Sequence, residues 1–393
     1  MTHAIKTLSI AFSLAVLSAL PAFTQIASEE TSPDSSAAPA AYIYLDGVNV
    51  YSVTAAGKPT LVKGSPFPVV GEIEDVNGKY LISVGNTWLH SYPIESNGAL
   101  GKQVGTINTQ DYGGSQCGQT GTGSVLDHTG KYLYVSLFLP ANDEGDGGCG
   151  VWQTYQVESN GHFKYLGYVE DYGSVQGVAE PDGIPTVSSN DKFAYATQPQ
   201  FEDGGYTSFT AFKIASNSDL EGLSSFESVD PQTPDGSWFY YPSAVAADNA
   251  GHLAALLKWF AGGNSAQLAS YTIESNGNLK STNTWEDMPA VSLIAGGISI
   301  SWSGKLLAVN QNPGLQIFHF NGSAPITQFS SLLLPTVYID QMAWDKNNHL
   351  YVLAGYPPQV MYVYTVTPTS ISEVPGSPFE VASGSGNMIV VPK

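Results

Sequence analysis

The sequence predicts an all-β fold: a seven-bladed β-propeller with four antiparallel strands per blade, spanning residues 41–393. Three observations predict it. The turn Glu-Ser-Asn-Gly stands at 95–98, 158–161 and 274–277. Each copy follows an aromatic-x-aliphatic triplet (Tyr92-Pro93-Ile94, Tyr155-Gln156-Val157, Tyr271-Thr272-Ile273) and precedes an apolar residue (Leu100, Phe163, Leu279). Asn and Gly tolerate the positive φ of a tight hairpin, and the flanking alternation reads as strands. Weaker copies at 51–57, 212–217, 318–322 and 364–371 spread the same hairpin over the chain.

The second observation is a turn with the same beat: Asp127-His128-Thr129-Gly130-Lys131-Tyr132, with counterparts at 75–80, 188–193, 248–253, 301–306 and 345–350. Asp or Ser at its head can bond the backbone two residues on and hold a tight turn between strands. Each unit then reads strand, turn, strand, longer loop, strand, Asn-Gly turn, strand. A four-stranded unit of roughly 40–60 residues is a propeller blade. The third observation is the chain's end. Blade 1 supplies three strands, 42–45, 48–53 and 59–62, and lacks its innermost one. Met388-Ile389-Val390-Val391 fits that place, and joining the termini in one sheet removes the last open edges. The phrase Gly-Ser-Pro-Phe, at 64–67 and 376–379, ends blades 1 and 7 in the same register. No blade can bury both faces alone, so each packs on its neighbours.

Ahead of the ring, residues 1–24 read as a secretory signal peptide: Lys6, an apolar run over 8–20, then Pro21 and Ala22. Residues 25–40 are rich in Ser, Ala, Glu and Pro and read as a flexible leader. The expected localisation is therefore secreted or periplasmic. The formal charge of −20 repels phosphate backbones and anionic lipid, which excludes nucleic acid and stable membrane insertion as expected partners. A small molecule, glycan or protein remains, on a monomer. All 14 basic residues are Lys, and without Arg a bidentate grip on carboxylate or phosphate is unavailable.

The two cysteines of an exported chain point to one disulfide. Loops joining strand 4 to the next strand 1 share a face with loops joining strands 2 and 3. Cys117 falls in the first class and Cys149 in the second, both near blade 3, so a bridge is expected on that face.

The same face carries the long loops, 111–123, 140–150, 170–184, 198–206, 230–241 and 286–295, and long loops on a rigid scaffold are where function usually lives. Asp111-Tyr112 and Asp171-Tyr172 repeat in neighbouring loops, with Glu180, Asp182, Trp238, Tyr240 and Tyr241 nearby. A mouth of carboxylates and aromatics suits a sugar or a cation, because aromatic faces stack on C–H groups and carboxylates accept hydroxyl bonds or ligate hard metals. The alternative is that these residues fasten loops to one another. Asn142, Glu144 and Asp146 alternate before a Gly as in a calcium loop, but Gln153 stands where the closing Glu belongs, so calcium is a weakly signalled ligand. His128, His252 and His349 belong to turns on the opposite face, and none of the seven His falls in a long loop.

The stretch Asp127-His128-Thr129-Gly130-Lys131-Tyr132-Leu133-Tyr134-Val135, the Glu-Ser-Asn-Gly hairpins and the Gly-Ser-Pro-Phe blade ends resemble the lactonase-type seven-bladed propellers, a group that includes 6-phosphogluconolactonase- and carboxymuconate cyclase-like proteins. The resemblance spans residues 41–393 and rests on scaffold motifs. It implies an active face of Arg, His and Glu, with a Pro-Arg-His stretch leading into blade 5. Here Pro242 matches, but Ser243 and Ala244 follow it, and Thr122 stands where a family His is expected. The resemblance therefore transfers the fold and no catalytic residue. Two functions stay open: a binder acting through its acidic, aromatic face, and a diverged hydrolase of a neutral lactone or sugar, using carboxylates among Asp111, Asp171, Glu180 and Asp182 as acid and base.

Overall fold

The computed structural model describes residues 38–393 except 46–47, 70, 140–148, 171–184, 201–205, 224, 232–239, 260–264, 356–358 and 383–386. Seven sheets follow one another along the chain, each built on four antiparallel strands. Blade 1 takes its innermost strand, Met388–Pro392, from the far end of the chain and continues outward through Ala41–Leu45, Asn49–Val53 and Pro59–Leu61. Ile43 lies opposite Val390 and Tyr44 opposite Ile389, so the ring closes in the expected register. Blade 2 runs Glu72–Val76, Tyr80–Val84, Trp88–Pro93, Gly105–Asn108, and blade 3 runs Gln119–Leu126, Tyr132–Leu139, Cys149–Val157, Phe163–Glu170. The first strands of the remaining blades are Thr186–Val187, Tyr240–Ala247, Gly297–Ile300 and Ile339–Trp344. Each first strand touches the next, and Ile339–Trp344 meets Met388–Pro392, so these strands ring a central channel.

The core lies between blades. One apolar cluster joins Tyr42, Tyr44 and Val391 of blade 1 to Ile73 and Leu81 of blade 2. The next joins Val76, Ile82 and Leu89 to Leu133, Val135 and Tyr155 of blade 3. This is the expected consequence of sheets too thin to bury their own faces.

The repeated Asn-Gly turn proves to be a seat. Gly98, Gly161 and Gly277 have φ of 84°, 84° and 93°, as the hairpin requires. Each also receives an aromatic ring from the second strand of the preceding blade. A Cβ at Gly98 would lie 2.3 Å from Tyr42, and one at Gly277 2.6 Å from Phe193. The tyrosines then bond the turn carbonyls: Tyr44 Oη donates to Gly98 O (3.0 Å), Tyr80 Oη to Ser159 O (3.0 Å) and Tyr195 Oη to Gly277 O (2.9 Å). The other repeated turn also behaves as read. Asp127, Asp248 and Asp345 accept backbone N–H groups from residues two to five positions on.

Some detail departs from the plain blade. Blade 5 gains Ser228–Val229, parallel to Leu279–Lys280, and Ala290–Ser292 against Ser265–Ile273, while blade 7 gains Phe379–Glu380. These segments are too short for an alternation to be read, and they form because connections running past a sheet edge satisfy its free backbone groups. The connection between blades 2 and 3 holds two single 3₁₀ turns, Thr109–Asp111 and Ser115–Cys117, the first capped by Asn108, whose side chain accepts from Gln110 N. Among the described residues no helix is long and apolar enough to cross a membrane.

Candidate functional site in the channel

Alternation along the first strand of blade 2 places Ile73 toward blade 1 and Glu72, Glu74 and Val76 toward blade 3. Ser124, on the first strand of blade 3, is buried at the level of this acidic pair. Its Oγ stands 2.8 Å from Glu74 Oε1 and 3.5 Å from Glu72 Oε2. One hydroxyl carries one hydrogen, so the shorter contact to Glu74 is the bond it donates and Glu72 takes the remaining approach. On the neighbouring side Met388 and Ile389, preceded by Asn387, open the first strand of blade 1, and Gln341 of blade 7 donates to Asn387 Oδ1 (3.3 Å). Glu72, Ile73, Glu74, Ser124, Asn387, Met388 and Ile389 together enclose a cavity of about 180 Å³. First strands begin on the long-loop side of a propeller, so Glu72 and Asn387 place this cavity toward that side.

The cavity is acidic. Burial pushes the Glu74 carboxyl up to about 8, the nearby Glu72 and Asp75 charges add to the rise, and only the Ser124 bond opposes it. Asp75, on the other side of the strand, is pushed to about 6 by burial, against hydrogen bonds from the Gly78 and Val76 N–H groups and the charge of Lys346. No Lys is among the described residues that line the cavity. A desolvated carboxyl with no opposite charge keeps its proton into the neutral range, and so can donate as well as accept.

The described residues among those singled out from the sequence do not line this cavity. Asp111 is exposed in its 3₁₀ turn. Tyr112 stacks on Tyr165 with ring centroids 4.6 Å apart and meets Tyr155 edge-on. Gln153, fully buried, donates to Thr109 O (3.1 Å) and Gly113 O (2.7 Å), which ties this loop to blade 3. Tyr240 and Tyr241 begin the first strand of blade 5 rather than ending a loop, and the buried Tyr240 donates to Gln267. Tyr112 packs between blades 2 and 3 and Tyr240 with residues of blades 4 and 5, so the structure does not bring these two together. Asp171, Tyr172, Glu180, Asp182 and Trp238, and the calcium-loop residues Asn142, Glu144 and Asp146, lie outside the described residues, as does the Cys149 side chain. Cys117 is buried against Leu137 and Val151, and no free cysteine is found among the described residues. No group of three or more His, Cys, Asp or Glu positioned to hold a metal occurs among them.

Glu72, Glu74 and Ser124 were legible only in part. The pattern Glu72-Ile73-Glu74 puts two acids on one side of a strand that the repeat assigns to the channel. The first strands of blades 5 and 6 read Ser243-Ala244-Val245-Ala246 and Gly297-Ile298-Ser299-Ile300, without acids, and that of blade 7 holds one, Asp340, so a pair of acids distinguishes blade 2 from these three. Ser124, fifty residues away, carries no such mark.

No protein-family model matches the chain, and neither does any curated protein. Solved structures do. A functionally unknown protein from Desulfotomaculum acetoxidans matches with a TM-score of 0.54 and 14% identity, over 86% of this chain and 95% of that one. A periplasmic gluconolactonase from Pseudomonas aeruginosa matches with a TM-score of 0.53 and 13% identity, over 75% of this chain and 81% of that one. A putative 6-phosphogluconolactonase from Bacteroides uniformis matches at 0.45 and 10%, over 85% of this chain and 82% of that one. At such identities the likeness is one of fold, and the fold is the seven-bladed propeller described above.

Proposed function

We propose that this chain is an exported, lactonase-fold propeller that binds a small uncharged or cationic molecule in its channel, without the Arg-dependent grip on an acidic lactone. The observation that carries the reading is the cavity itself, where two carboxyl groups from blade 2, a hydroxyl from blade 3 and the Asn387 amide beside blade 1 converge, with no Lys among the described residues that line it. A polar cavity of about 180 Å³, below the ~300–1,000 Å³ of drug-sized pockets, fits a ligand of monosaccharide size or smaller. An anion would meet an acidic wall formed by Glu72 and Glu74. The acidic residues of the long-loop sequences, Asp111, Asp171, Glu180 and Asp182, favour the same ligands by their charge.

Export to the periplasm or medium is proposed from the signal-like residues 1–24. It goes with a Cys117–Cys149 disulfide, supported by the packing of the Ser115–Cys117 turn on the strands on either side of the 140–148 loop. Calcium at Asn142, Glu144 and Asp146 and a glycan or protein on the rim remain subsidiary proposals.

One observation favours a second reading. Glu72 and Glu74 both reach Ser124, and a proton held on Glu74 beside an acceptor on Glu72 is an acid–base arrangement suited to opening a neutral lactone. Two measurements separate the readings. Thermal stabilisation of the purified protein by sugars, amines and neutral lactones, weakened by Ser124→Ala and Glu74→Gln, is the expected result for a binder. Turnover of a neutral lactone lost in Glu74→Gln would move the conclusion to the hydrolase. No stabilisation by any of them would remove the channel as a site.

A further inference from the structure

We infer that the long-loop edge of blade 6 is the contact surface of a two-fold dimer, covered by the same apolar ridge of a second copy of this chain. Eleven large apolar side chains stand exposed among the described residues. Four of them belong to this edge: Leu293 (36% exposed), Ile294 (59%), Leu332 (44%) and Tyr338 (64%). Leu293 and Ile294 are the middle of the turn that leads from blade 5 into blade 6, closed by Ala295 N donating to Ser292 O (3.0 Å). Leu332 and Tyr338 belong to the connection from blade 6 to blade 7. Between them lies the turn 311–314, which joins the second and third strands of blade 6, Leu306–Asn310 and Leu315–His319. It holds both neighbours. Ser292 N donates to Gln311 Oε1 (2.6 Å), and Gly314 N donates to Val337 O (2.9 Å). Leu332 lies against Gly314, 2.7 Å from where a Cβ would stand. The core beneath already takes Val291, Ala295 and Leu315, which leaves the four exposed side chains outside it.

Charge says what covers the ridge. Residues 288–296, 310–314 and 329–339 contain no Asp, Glu, Lys or Arg, in a chain whose formal charge is −20. Asp287 and Asp340 bound the uncharged stretch. A covering surface is therefore itself apolar, since neither a basic nor an acidic one would find a counterpart here. Two copies of an acidic protein repel wherever their charged surfaces approach. At this ridge they do not. The connections that carry Asp111, Asp171, Glu180 and Asp182 join blades 2 to 3 and 3 to 4. In a ring of seven those blades stand opposite blade 6, so a two-fold axis through the ridge keeps the most acidic blades of both copies far apart. An isologous contact needs one self-complementary patch, and an apolar patch is self-complementary without paired opposite charges. The hydrogen bonds between the three segments hold the ridge in shape before contact, so little conformational entropy is lost when the copies meet. Four side chains make a small patch, and small interfaces give weak, reversible association.

The test is sedimentation equilibrium of the purified protein from ~1 µM to ~1 mM, in low and in high salt. The expected mass climbs from one copy to two and stops there. Added salt should raise the dimer fraction, because it screens repulsion between acidic copies while the apolar contact persists. Ile294→Asp and Tyr338→Asp should each weaken the dimer about tenfold or more, since each sets like charges face to face across the axis. Both side chains are mostly exposed, so the variants should melt as the parent does. Where an acidic variant fails to fold, Ile294→Ser and Leu332→Ser read the same contact. Trp88→Asp, exposed on blade 2, is the control and should leave the dimer unchanged. One copy at every concentration and salt would overturn the dimer and leave the ridge to a different apolar partner. A dimer that salt dissolves, or that the ridge variants leave intact, would overturn the apolar contact at this surface. A mass that passes two copies would mean head-to-tail association and overturn the two-fold axis.

Discussion

The rim of Asn-Gly turns and the channel cavity are built from the same blades to opposite rules. At the rim the carbonyls of the Asn-Gly turns are answered. Tyr44, Tyr80 and Tyr195 bond the carbonyls of the next blade's turn, and a ring fills the space that a Cβ would occupy at Gly98 or Gly277. In the cavity Glu74 is desolvated, crowded by Glu72 and Asp75, and given one hydroxyl, with no Lys among the described residues that line the space. The rim repeats from blade to blade and the acidic pair occurs in blade 2 alone among the first strands compared. A feature repeated from blade to blade holds the ring together. A desolvated acidic pair in one blade is the kind of perturbed polar group that binding sites use.

The contrast can be broken from either side. The largest effect expected is at the rim. Gly98→Ala must place a Cβ in the left-handed region and into the Tyr42 ring, at a cost of about 3–4 kcal/mol read in denaturant melts. A loss under 1 kcal/mol would show that the seat yields easily. Next comes Glu74. Its carboxyl is raised in the folded state, so the stability it contributes is complete below its ordinary value of 4.5 and is lost as pH rises through about 8. The parent protein should lose on the order of 2–3 kcal/mol between pH 5 and 9 relative to Glu74→Gln, which cannot ionise. Parallel pH profiles for the two proteins would mean that Glu74 is solvated after all. Tyr195→Phe should cost about 1–2 kcal/mol by stranding the buried Gly277 carbonyl, with ligand binding in the channel untouched. Smallest of all, Lys213→Ala breaks an exposed ion pair with Glu221 (3.0 Å) and should shift stability by no more than ~0.5 kcal/mol, an effect that salt erases.

Much of the scaffold was legible in the residues. Turn chemistry is local: Asn-Gly and the Asp-headed turn fix their backbone within four to six residues, so their spacing alone gives blade number and strand order. Closure was legible for a related reason, since a blade one strand short and a spare strand at the other terminus have one arrangement that leaves no open edge. The long-loop side was legible as a place, and less so as a set of contacts. Asp111-Tyr112 looked like a ligand platform, yet Tyr112 spends its ring on Tyr165 and Tyr155, and the Thr109 and Gly113 carbonyls beside it bond Gln153, the residue that also failed to complete a calcium loop. Nothing in the alternation of that loop distinguishes an aromatic that faces solvent from one that faces a neighbouring strand.

By itself the sequence determined the propeller: hairpin chemistry repeated at a steady interval, an all-Lys cation set that withholds the bidentate grip, and two ends that complete one sheet. Only the tertiary structure decided that Glu72, Glu74, Ser124 and Asn387, drawn from three blades and both ends of the chain, share one cavity. Periodicity tells which side of a strand a residue takes. What waits on that side, and how much water is left there, depends on how the neighbouring blades close around the channel.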